Sequence, residues 1–320
     1  MLQVECVRSA HEMDKLRGRW EWLTAQRSYT LFQGFELNRQ AAAWFSSRES
    51  PHVIVAESDS GLAIIPAVRR PTELGLIGET LFDYRDVLCE GDRSVLGSAW
   101  RELAKVGLPL EVTALRSEEV RERWWGLESR PFCNAPATRI ADTTSASFCH
   151  EHRKSAKAAR HLAHAGLRLV RRDRELRDLA EWVYRRKAEW SGTSKNLFQD
   201  RLRQDFMIHM MHLGVGNWCA WSYETDTDEI AAALVTLDDG AWRRFYTIHH
   251  DPLWERLSPG QSLIYEVTRE TLAEGMNVDF MTGEYAYKNR LATSQVPLYR
   301  VLASPEQMAA QQAAREHEAA

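Results

Sequence analysis

A short segment late in the chain has the residue types needed to bind a phosphate group. It reads Arg256-Leu257-Ser258-Pro259-Gly260-Gln261-Ser262-Leu263, a proline–glycine turn that leads into a predicted helix. Glycine lets the backbone approach phosphate oxygens, and the free amides at a helix start carry partial positive charge. The segment therefore suits the pyrophosphate of a nucleotide. A second interpretation stays open, in which Ser258 and Pro259 only cap the helix.

The second half of the chain repeats the first, and the two copies differ at this point. Leu31-Phe32-Gln33 recurs as Leu197-Phe198-Gln199, and residues 63–68 resemble residues 230–235 at nearly the same spacing. The first copy carries Glu90 and Asp92 where the second has its proline–glycine turn. Those carboxylates would repel a pyrophosphate. The second copy is therefore the predicted phosphate site.

Two polar stretches contain groups able to act as acids or bases. Residues 279–288 (DFMTGEYAYK) follow the last predicted strand of the second copy, where a strand ending in glycine and polar groups suits the edge of a cleft. Phe82-Asp83-Tyr84-Arg85-Asp86 in the first copy places two carboxylates beside a tyrosine and an arginine. The first stretch is either such an edge or a surface loop. The second is either a base site or a salt-bridged turn.

The predicted elements that position these residues follow one order, β-α-α-β-β-β-α-β, in both copies. Apolar residues at helical spacing predict the helices, and short apolar runs bounded by turns predict the strands. Strands are predicted at residues 3–8, 53–56, 62–68, 81–88, 110–114, 167–171, 217–223, 230–237, 242–249 and 278–281. The order predicts a mixed α/β sheet with helices on its faces.

The bulk composition limits the classes of function. A chain of 320 residues suits two domains of about 150 residues each. A net charge of −4 provides no general attraction to nucleic acid or anionic membranes. The five cysteines are scattered without zinc-ligand spacing. No signal peptide or membrane-spanning apolar run is visible. We expect a cytoplasmic protein with no metal and no membrane partner.

A basic segment, residues 150–175, joins the two copies. A predicted helix from His152 places Arg153, Lys157 and Arg160 on one flank. Such a run is either a solvated linker helix or a site for phosphate groups, as in a sugar phosphate or the 3′-phosphate of CoA. No zinc-finger, RNA-recognition or helix-turn-helix pattern indicates sequence-specific nucleic-acid binding.

Three stretches of the second copy carry a family resemblance. They are His152-Arg153-Lys154, then Tyr246 to Asp251 followed by Leu257-Ser258-Pro259-Gly260, and Asp279-Phe280-Met281-Thr282-Gly283 followed by Tyr287-Lys288. With the order of elements, they make residues 1–303 similar to the GNAT acyltransferase superfamily, in particular to tandem-GNAT proteins of the FemABX and CelD-like group. The resemblance implies two GNAT-like domains, 1–145 and 146–303, around a central cleft, with a flexible tail at 304–320.

The resemblance also implies a donor and a set of roles. The donor would be acyl-CoA, a co-substrate, bound by the second domain. Residues predicted to bind it are Arg256, Ser258, Pro259, Gly260, Gln261, Ser262, Leu263 and His249. The usual signature has glycine or alanine at its second small position, where this chain has Ser262, so another activated acyl donor stays open. The backbone near His249 would polarise the donor carbonyl.

The predicted catalytic groups follow from the same resemblance. Lys288 would stabilise the carbonyl oxygen or bind an anionic group, Tyr287 or Tyr285 would protonate the leaving thiolate, and Glu284 would act as a base. Asp83 or Asp86 would take a proton from the acceptor amine. Residues predicted to contact the substrate are Phe82, Tyr84, Arg85, Tyr246, Asp279 and Arg153.

We therefore expect an N-acyltransferase that moves an acyl group from acyl-CoA to an amine of a small-molecule, sugar or amino-acid-type acceptor by direct attack. One alternative is an aminoacyl-tRNA-dependent transferase of the FemX type, in which the basic helix would contact RNA phosphates. A second alternative is a non-catalytic binding module of a polysaccharide or natural-product pathway. The sequence does not determine the oligomeric state.

Overall fold

A computed structural model describes residues 1–26, 29–78, 81–92, 94–116, 127–191, 199–283 and 285–309. The chain divides into two units. The first comprises Met1–Cys133 with Pro297–Ala320, and the second comprises Asn134–Val296. The predicted base Glu284 lies outside the described residues, as do Leu197 and Phe198 of the repeated tripeptide.

The first unit contains a four-stranded antiparallel sheet. The strands of the first unit as a whole are β1 (Gln3–Val7), β2 (Ser50–Pro51), β3 (Val53–Ser58), β4 (Gly61–Ile65), β5 (Ala67–Arg69), β6 (Leu74–Leu76), β7 (Leu88–Gly91) and β8 (Leu110–Arg116). Its helices are α1 (Ala10–Met13), α2 (Arg17–Gln26), α3 (Phe35–Trp44) and α4 (Ser94–Ala104). The four-stranded sheet has the order β1-β3-β4-β7, and each neighbouring pair is antiparallel. The short strand β6 pairs with β5 on one side and with β8 on the other.

Helix α4 covers the sheet of the first unit with its apolar face. Val95, Trp100 and Leu103 are at most 2% exposed and pack with residues of β3 and β4 in one core cluster. Complete burial of a side chain of this size contributes about 2–3 kcal/mol to stability. The apolar spacing that predicts this helix therefore corresponds to its buried face.

Two predicted strands of the first unit differ from the structure. The strand predicted at 62–68 is interrupted at Pro66, which has no N–H for a ladder and separates β4 from β5. The strand predicted at 81–88 was wrong except for its last residue, because β7 begins only at Leu88. Before it, the amides of Leu81 and Phe82 both donate to the carbonyl oxygen of Gly78, which closes a turn instead.

The second unit is built on a mixed arrangement of antiparallel and parallel strands. Its strands are β9 (Ser129–Thr138), β10 (Arg168–Arg172), β11 (Asn217–Glu224), β12 (Ile230–Asp239), β13 (Trp242–His250), β14 (Asn277–Asp279) and β15 (Ser294–Ala303), where β9 and β15 cross the unit boundaries. Its helices are α5 (Ser145–Glu151), α6 (Arg153–His164), α7 (Arg177–Ser191), α8 (Arg201–His212), α9 (Pro259–Ala273) and α10 (Ala286–Leu291). Strands β10 to β13 pair in antiparallel order, and β14 then pairs parallel to β13 and antiparallel to the end of β9.

The predicted repeat is confirmed by this topology. The order β10-α7-α8-β11-β12-β13-α9-β14 in the second unit is the predicted order without insertions. In the first unit β1, β3, β4 and β7 pair in the same sequence as β10 to β13. The first unit differs mainly by the inserted strands β2, β5 and β6. The predicted mixed α/β fold is likewise confirmed.

The compact units do not end at the predicted domain boundaries. Residues 134–145 belong to the second unit and residues 297–303 to the first, because β9 pairs with β14 and β15 pairs with β8. The predicted flexible tail also begins too early. Residues 305–309 are helical, and Met308 is 1% exposed within the core cluster of the first unit. Of the helices in the described part of the chain, none is long and apolar enough to span a membrane.

Candidate functional site

The predicted phosphate segment lies at the start of helix α9. Strand β13 ends at His250, a 3-10 turn covers Pro252–Leu257, and Pro259 is the first residue of the helix. Ser258 adopts the left-handed conformation with φ 50° and ψ 50°, and its side chain makes no capping hydrogen bond. The alternative in which the Ser258 hydroxyl caps the helix is therefore wrong, whereas Pro259 does occupy its usual first position. The amides of the first turn still point out of a 15-residue helix.

The ring of His250 lies beside Gly260, at the position where a side chain would begin. A Cβ atom built at Gly260 would lie 3.4 Å from Nδ1 of His250, which is ordinary van der Waals contact. A larger side chain would extend over the first turn, where an anion would bind. The dihedral angles of Gly260 do not require a glycine, but the absence of a side chain keeps the backbone accessible.

The other residues predicted to bind the donor divide into two groups. Arg256 and Gln261 are exposed, and Gln261 accepts a hydrogen bond from Arg290 at 3.2 Å. Pro259, Ser262 and Leu263 are buried, with Leu263 in the core cluster of the second unit. Side-chain contacts from Ser262 and Leu263 to a donor are therefore wrong, because both side chains point into the protein. The amide of Ser262 already donates to the carbonyl oxygen of Ser258 at 3.2 Å, so the free amides of this helix start lie before Ser262.

His249 and His250 lie side by side at the end of β13, with their ring centroids 5.5 Å apart, and each contacts a different helix. The ring of His250 lies against Gly260 of α9, while His249 has its ring centroid 6.2 Å from that of Trp190 at the end of α7. Burial lowers the pKa of His249 to about 4, with further lowering from His250, Lys187 and Arg186. His249 is therefore neutral at pH 7.

A buried hydroxyl that the sequence does not single out lies on the same strand. Thr247 is 4% exposed, and its Oγ1 has no hydrogen-bond partner among the described residues. Thr236 pairs with Phe245 and Val235 with Thr247, so Tyr246 is an extra residue that forms a β-bulge. Bulges interrupt the ladder and re-aim side chains, and an unpartnered buried hydroxyl calls for an explanation such as a ligand. Only pairing across two strands reveals this feature.

The remaining predicted substrate residues of the second unit have different surroundings. The ring of Tyr246 is half-buried and meets Trp218 edge to face at 5.4 Å. Asp279 is 4% exposed, forms an ion pair with Arg244 and accepts a hydrogen bond from the amide of Met281 at 2.8 Å. Substrate contact by Asp279 is therefore wrong, because its carboxylate is used inside the protein. Arg153 is exposed and donates to the carbonyl oxygen of His150.

Lys288, predicted to stabilise the carbonyl oxygen or bind an anionic group, is buried. It is 9% exposed, and its ammonium donates to the carbonyl oxygen of Thr282 at 2.7 Å and lies 3.5 Å from that of Met281. These carbonyl groups belong to a turn in which Met281 and Gly283 have φ of 61° and 106°. The lysine thus satisfies carbonyl groups of an unusual turn. The Nζ atom also lies 5.4 Å from the ring centroid of Tyr285.

Tyr285 and Tyr287 stack next to this turn. Their ring centroids are 5.7 Å apart and their planes differ by 18°. Tyr285 is 53% exposed, while Tyr287 packs against the core of the second unit. Burial raises the pKa of Tyr287 to about 12, with a smaller contribution from Tyr285. Tyr287 therefore keeps its proton at neutral pH and can act as a hydrogen-bond donor.

The polar stretch of the first unit is mostly part of its core. Phe82 and Tyr84 are 1% and 3% exposed and pack around Phe32. Arg85 is buried and donates to the backbone oxygen and hydroxyl of Thr113 at 3.0 and 2.5 Å. The cavity beside these residues measures about 10 Å³, enough for one water at most. Acceptor contacts by the three residues are therefore wrong for this conformation.

The two carboxylates of that stretch are partly exposed. Asp86 accepts a hydrogen bond from the amide of Val87 at 2.8 Å, and Asp83 is half-buried. Their predicted role as bases stays a prediction. Within the described ranges, no group of three His, Cys, Asp or Glu side chains has the arrangement of a metal site.

Comparison with known proteins identifies the class to which this fold belongs. Residues 146–289 match the family model described as "Acetyltransferase (GNAT) domain", a range that includes β10 to α9 and the segment up to Lys288. The match and the mixed sheet confirm the predictions of a GNAT-like fold and of an acyltransferase. No curated protein matches the chain.

Several solved structures share the fold over nearly the whole chain. One is the C-terminal domain of a protein named "Putative Lysylphosphatidylglycerol Synthetase" from Agrobacterium fabrum, with TM-score 0.63 and 11% identity over 93% of this chain and 95% of that chain. L-PGS from Bacillus licheniformis gives TM-score 0.58 and 9% identity over 93% and 95%. FemX gives TM-score 0.57 and 9% identity over 82% of this chain and 90% of that chain. Identities this low establish the fold alone.

Proposed function

We propose that this protein is an N-acyltransferase of the tandem-GNAT, CelD-like type that uses acyl-CoA and acts in the cytoplasm. The observation that carries the proposal is the uncapped start of α9, where a left-handed Ser258 and the glycine at 260 leave amides open to a pyrophosphate. This helix start lies inside the range that matches the GNAT domain model. The match provides support independent of the local geometry.

The acyl group would extend from this helix start along β13. The hydroxyl of Thr247 is buried and lacks a partner, so we assign it as a donor to the thioester carbonyl or to the oxyanion that forms from it. Binding a polar ligand atom there would remove the cost of an unsatisfied buried group. The bulge at Tyr246 lies next to this hydroxyl and interrupts the strand ladder at the same place.

The chemistry requires that a proton leave the amine and that the thiolate receive one. The amine nitrogen forms a bond to the acyl carbon as the carbon–sulfur bond breaks. His249 is neutral at pH 7 and can accept the amine proton, whereas Tyr287 keeps its own proton and can donate it to sulfur. Thr247 takes the place of Lys288 as the donor to the oxyanion in this scheme, because the ammonium of Lys288 already binds carbonyl groups of its turn. Asp83 and Asp86 stay candidate bases on the acceptor side.

Two measurements test this proposal. Isothermal titration with acetyl-CoA and longer acyl-CoAs should give one-to-one binding, and mass spectrometry should detect an amine that gains the acyl mass when acyl-CoA and an amine library are supplied. CoA without an acyl group is the matched ligand for the phosphate contacts. Absence of binding for every acyl-CoA and for CoA would contradict the donor assignment.

A second candidate, transfer from aminoacyl-tRNA, is favoured by helix α6. Arg153, Lys154, Lys157 and Arg160 are all exposed on this 12-residue helix. Exposed cations in a row suit RNA phosphates, and the FemX-type resemblance suggests such a donor. Charged tRNA and acetyl-CoA supplied separately, with the acylated product identified by mass, distinguish the two donors. If the donor is tRNA, a Lys157→Glu/Arg160→Glu variant should lose activity with charged tRNA.

A further inference from the structure

The first unit contains an open pocket that has no part in the proposed donor site. Its volume is about 760 Å³, and it is lined by the ends of β1, β2 and β5 and by residues that follow α3 and α4. This volume lies in the range of small-molecule binding sites. All its lining residues belong to the first unit and to the described part of the chain. We call it the basic pocket.

Cationic side chains outnumber carboxylates in the basic pocket. The cations are Arg8, Arg48, Arg69, Arg70 and Lys105, and the carboxylates are Glu49 and Glu102. Both carboxylates are already paired, Glu49 with Arg70 at 3.1 Å and Glu102 with Lys105 at 2.6 Å. The pocket is therefore locally positive in a chain whose net charge is −4. A positive concave site attracts anions.

Two of the arginines have no carboxylate partner of their own. Neither Arg8 nor Arg69 forms an ion pair with any carboxylate among the described residues, and both side chains are exposed. The two guanidinium groups lie near His52, whose imidazole is 8% exposed and has Nε2 3.5 Å from Sγ of Cys6. Burial lowers the pKa of His52, and Arg8 and Arg69 lower it further. The wall of the pocket thus combines two guanidinium groups that form no ion pair, of which Arg8 also contacts Cys6, with an imidazole whose proton affinity is lowered.

The helix ends near the pocket oppose an anion, but more weakly than the arginines attract it. Residues after the carboxyl ends of α3 and α4 line the pocket, and each helix end carries about half a negative charge. Two such ends amount to about one negative charge. The excess of three formal positive charges on the lining side chains is larger.

We propose that the basic pocket binds the phosphoryl group of a small phosphomonoester. A dianionic phosphoryl group offers enough acceptor oxygens for both guanidinium groups and for an imidazole N–H, which a single carboxylate does not. The phosphoryl group occupies only part of the volume, so the rest of the pocket accommodates the organic part of the ester. Arg8 and Arg69 bind the phosphoryl oxygens, and His52 donates one further hydrogen bond.

Isothermal titration of the full chain tests this assignment. The probes are glucose 6-phosphate, inorganic phosphate and glucose. We expect the ester to bind best, phosphate to bind more weakly and glucose not to bind. An Arg8→Ala/Arg69→Ala variant should bind the ester at least about tenfold more weakly, because two charge-assisted contacts are lost. Equal affinity of wild type and variant, equal binding of glucose, or binding of none of the probes would overturn the proposal.

Two controls separate this pocket from other cationic surfaces. Arg130→Ala removes an exposed arginine that pairs with Glu128 outside the pocket and should leave the affinity unchanged. Gly260→Glu, which changes the donor site of the other unit, should also leave it unchanged, so that this proposal and the proposed function fail separately. Circular dichroism of each variant verifies folding.

A chemical readout locates the bound ester. Cys6 and Cys149 are both partly exposed, and only Cys6 lines the basic pocket. Glucose 6-phosphate should slow alkylation of Cys6 by iodoacetamide, measured by peptide mass mapping, and leave the rate at Cys149 unchanged. Unchanged alkylation of Cys6 at saturating ester would place the bound molecule elsewhere and overturn the proposal.

Discussion

The ammonium of Lys288 lies 2.7 Å from the carbonyl oxygen of Thr282, to which it donates a hydrogen bond across the turn that follows β14. The turn contains two residues of positive φ, Met281 and Gly283, and it ends the strand whose last residue, Asp279, pairs with Arg244. Two charged side chains that resemble catalytic groups in the sequence thus fix the backbone of one loop. The tyrosines stacked beside it are positioned by that loop.

Lys288→Met should lower the free energy of unfolding. The substitution leaves at least one buried carbonyl group without its donor, which costs about 1–3 kcal/mol. Urea denaturation measures the change. Lys154→Met, at an exposed lysine of α6, is the control and should alter stability by less than about 0.5 kcal/mol. A Lys288→Met protein as stable as the wild type but inactive would restore the catalytic role that the sequence predicted.

Gly260→Glu should abolish acyl-CoA binding, whereas Gly260→Ala should retain most of it. The glutamate adds bulk and negative charge at the helix start, while a methyl group meets His250 only at 3.4 Å. Titration calorimetry should show a loss of at least about tenfold for the first variant and a few-fold change at most for the second. Tight binding by the glutamate variant would remove the donor from this helix.

Thr247→Val should separate ligand binding from stability. The hydroxyl has no partner in the free protein, so replacing it with a methyl group should leave the free energy of unfolding unchanged or raise it by about 1 kcal/mol. If Thr247 binds the acyl oxygen, kcat/KM should fall about tenfold or more. Undiminished kcat/KM in the valine variant would exclude the hydroxyl from the reaction.

The pKa of His249 predicts a stability change at acidic pH. The folded-state pKa of about 4 lies below the ordinary value of 6.5, so the unfolded chain binds the proton more readily. The contribution of neutral His249 to the free energy of unfolding is therefore fully present above about pH 6.5 and is lost as the pH falls towards 4. His249→Gln should reduce this loss by about 1–2 kcal/mol.

Denaturation midpoints of wild type and His249→Gln at pH 7 and pH 4.5 provide the measurement. His52 and His152 also have lowered pKa values from burial and contribute in the same pH range. Because both proteins retain them, only the difference between the two pH dependences reports on His249. Parallel pH dependences would mean that His249 is as well solvated in the folded state as in the unfolded state.

Local features of the sequence determined the architecture of both units. The recurrence of Leu31-Phe32-Gln33 and the spacing of apolar runs predicted two copies of one order of elements. The matching strand orders β1-β3-β4-β7 and β10-β11-β12-β13 confirm this prediction. The sequence also predicted the start of α9, because Pro259 and Gly260 affect the backbone at their own positions in the chain. Such features are readable because period and turn chemistry depend on residues close in the chain.

Only the tertiary structure decided the surroundings of the charged, aromatic and hydroxyl side chains. Asp279 finds Arg244 on a neighbouring strand, Phe82 and Tyr84 pack around Phe32, and Thr247 lies next to a bulge that only the pairing with β12 creates. A segment of acids, aromatics and lysine looks the same in a sequence whether its groups face solvent or each other. Burial and ion pairing depend on which distant elements become neighbours in the fold. These contacts determine whether a charged side chain stabilises the structure or is available for catalysis.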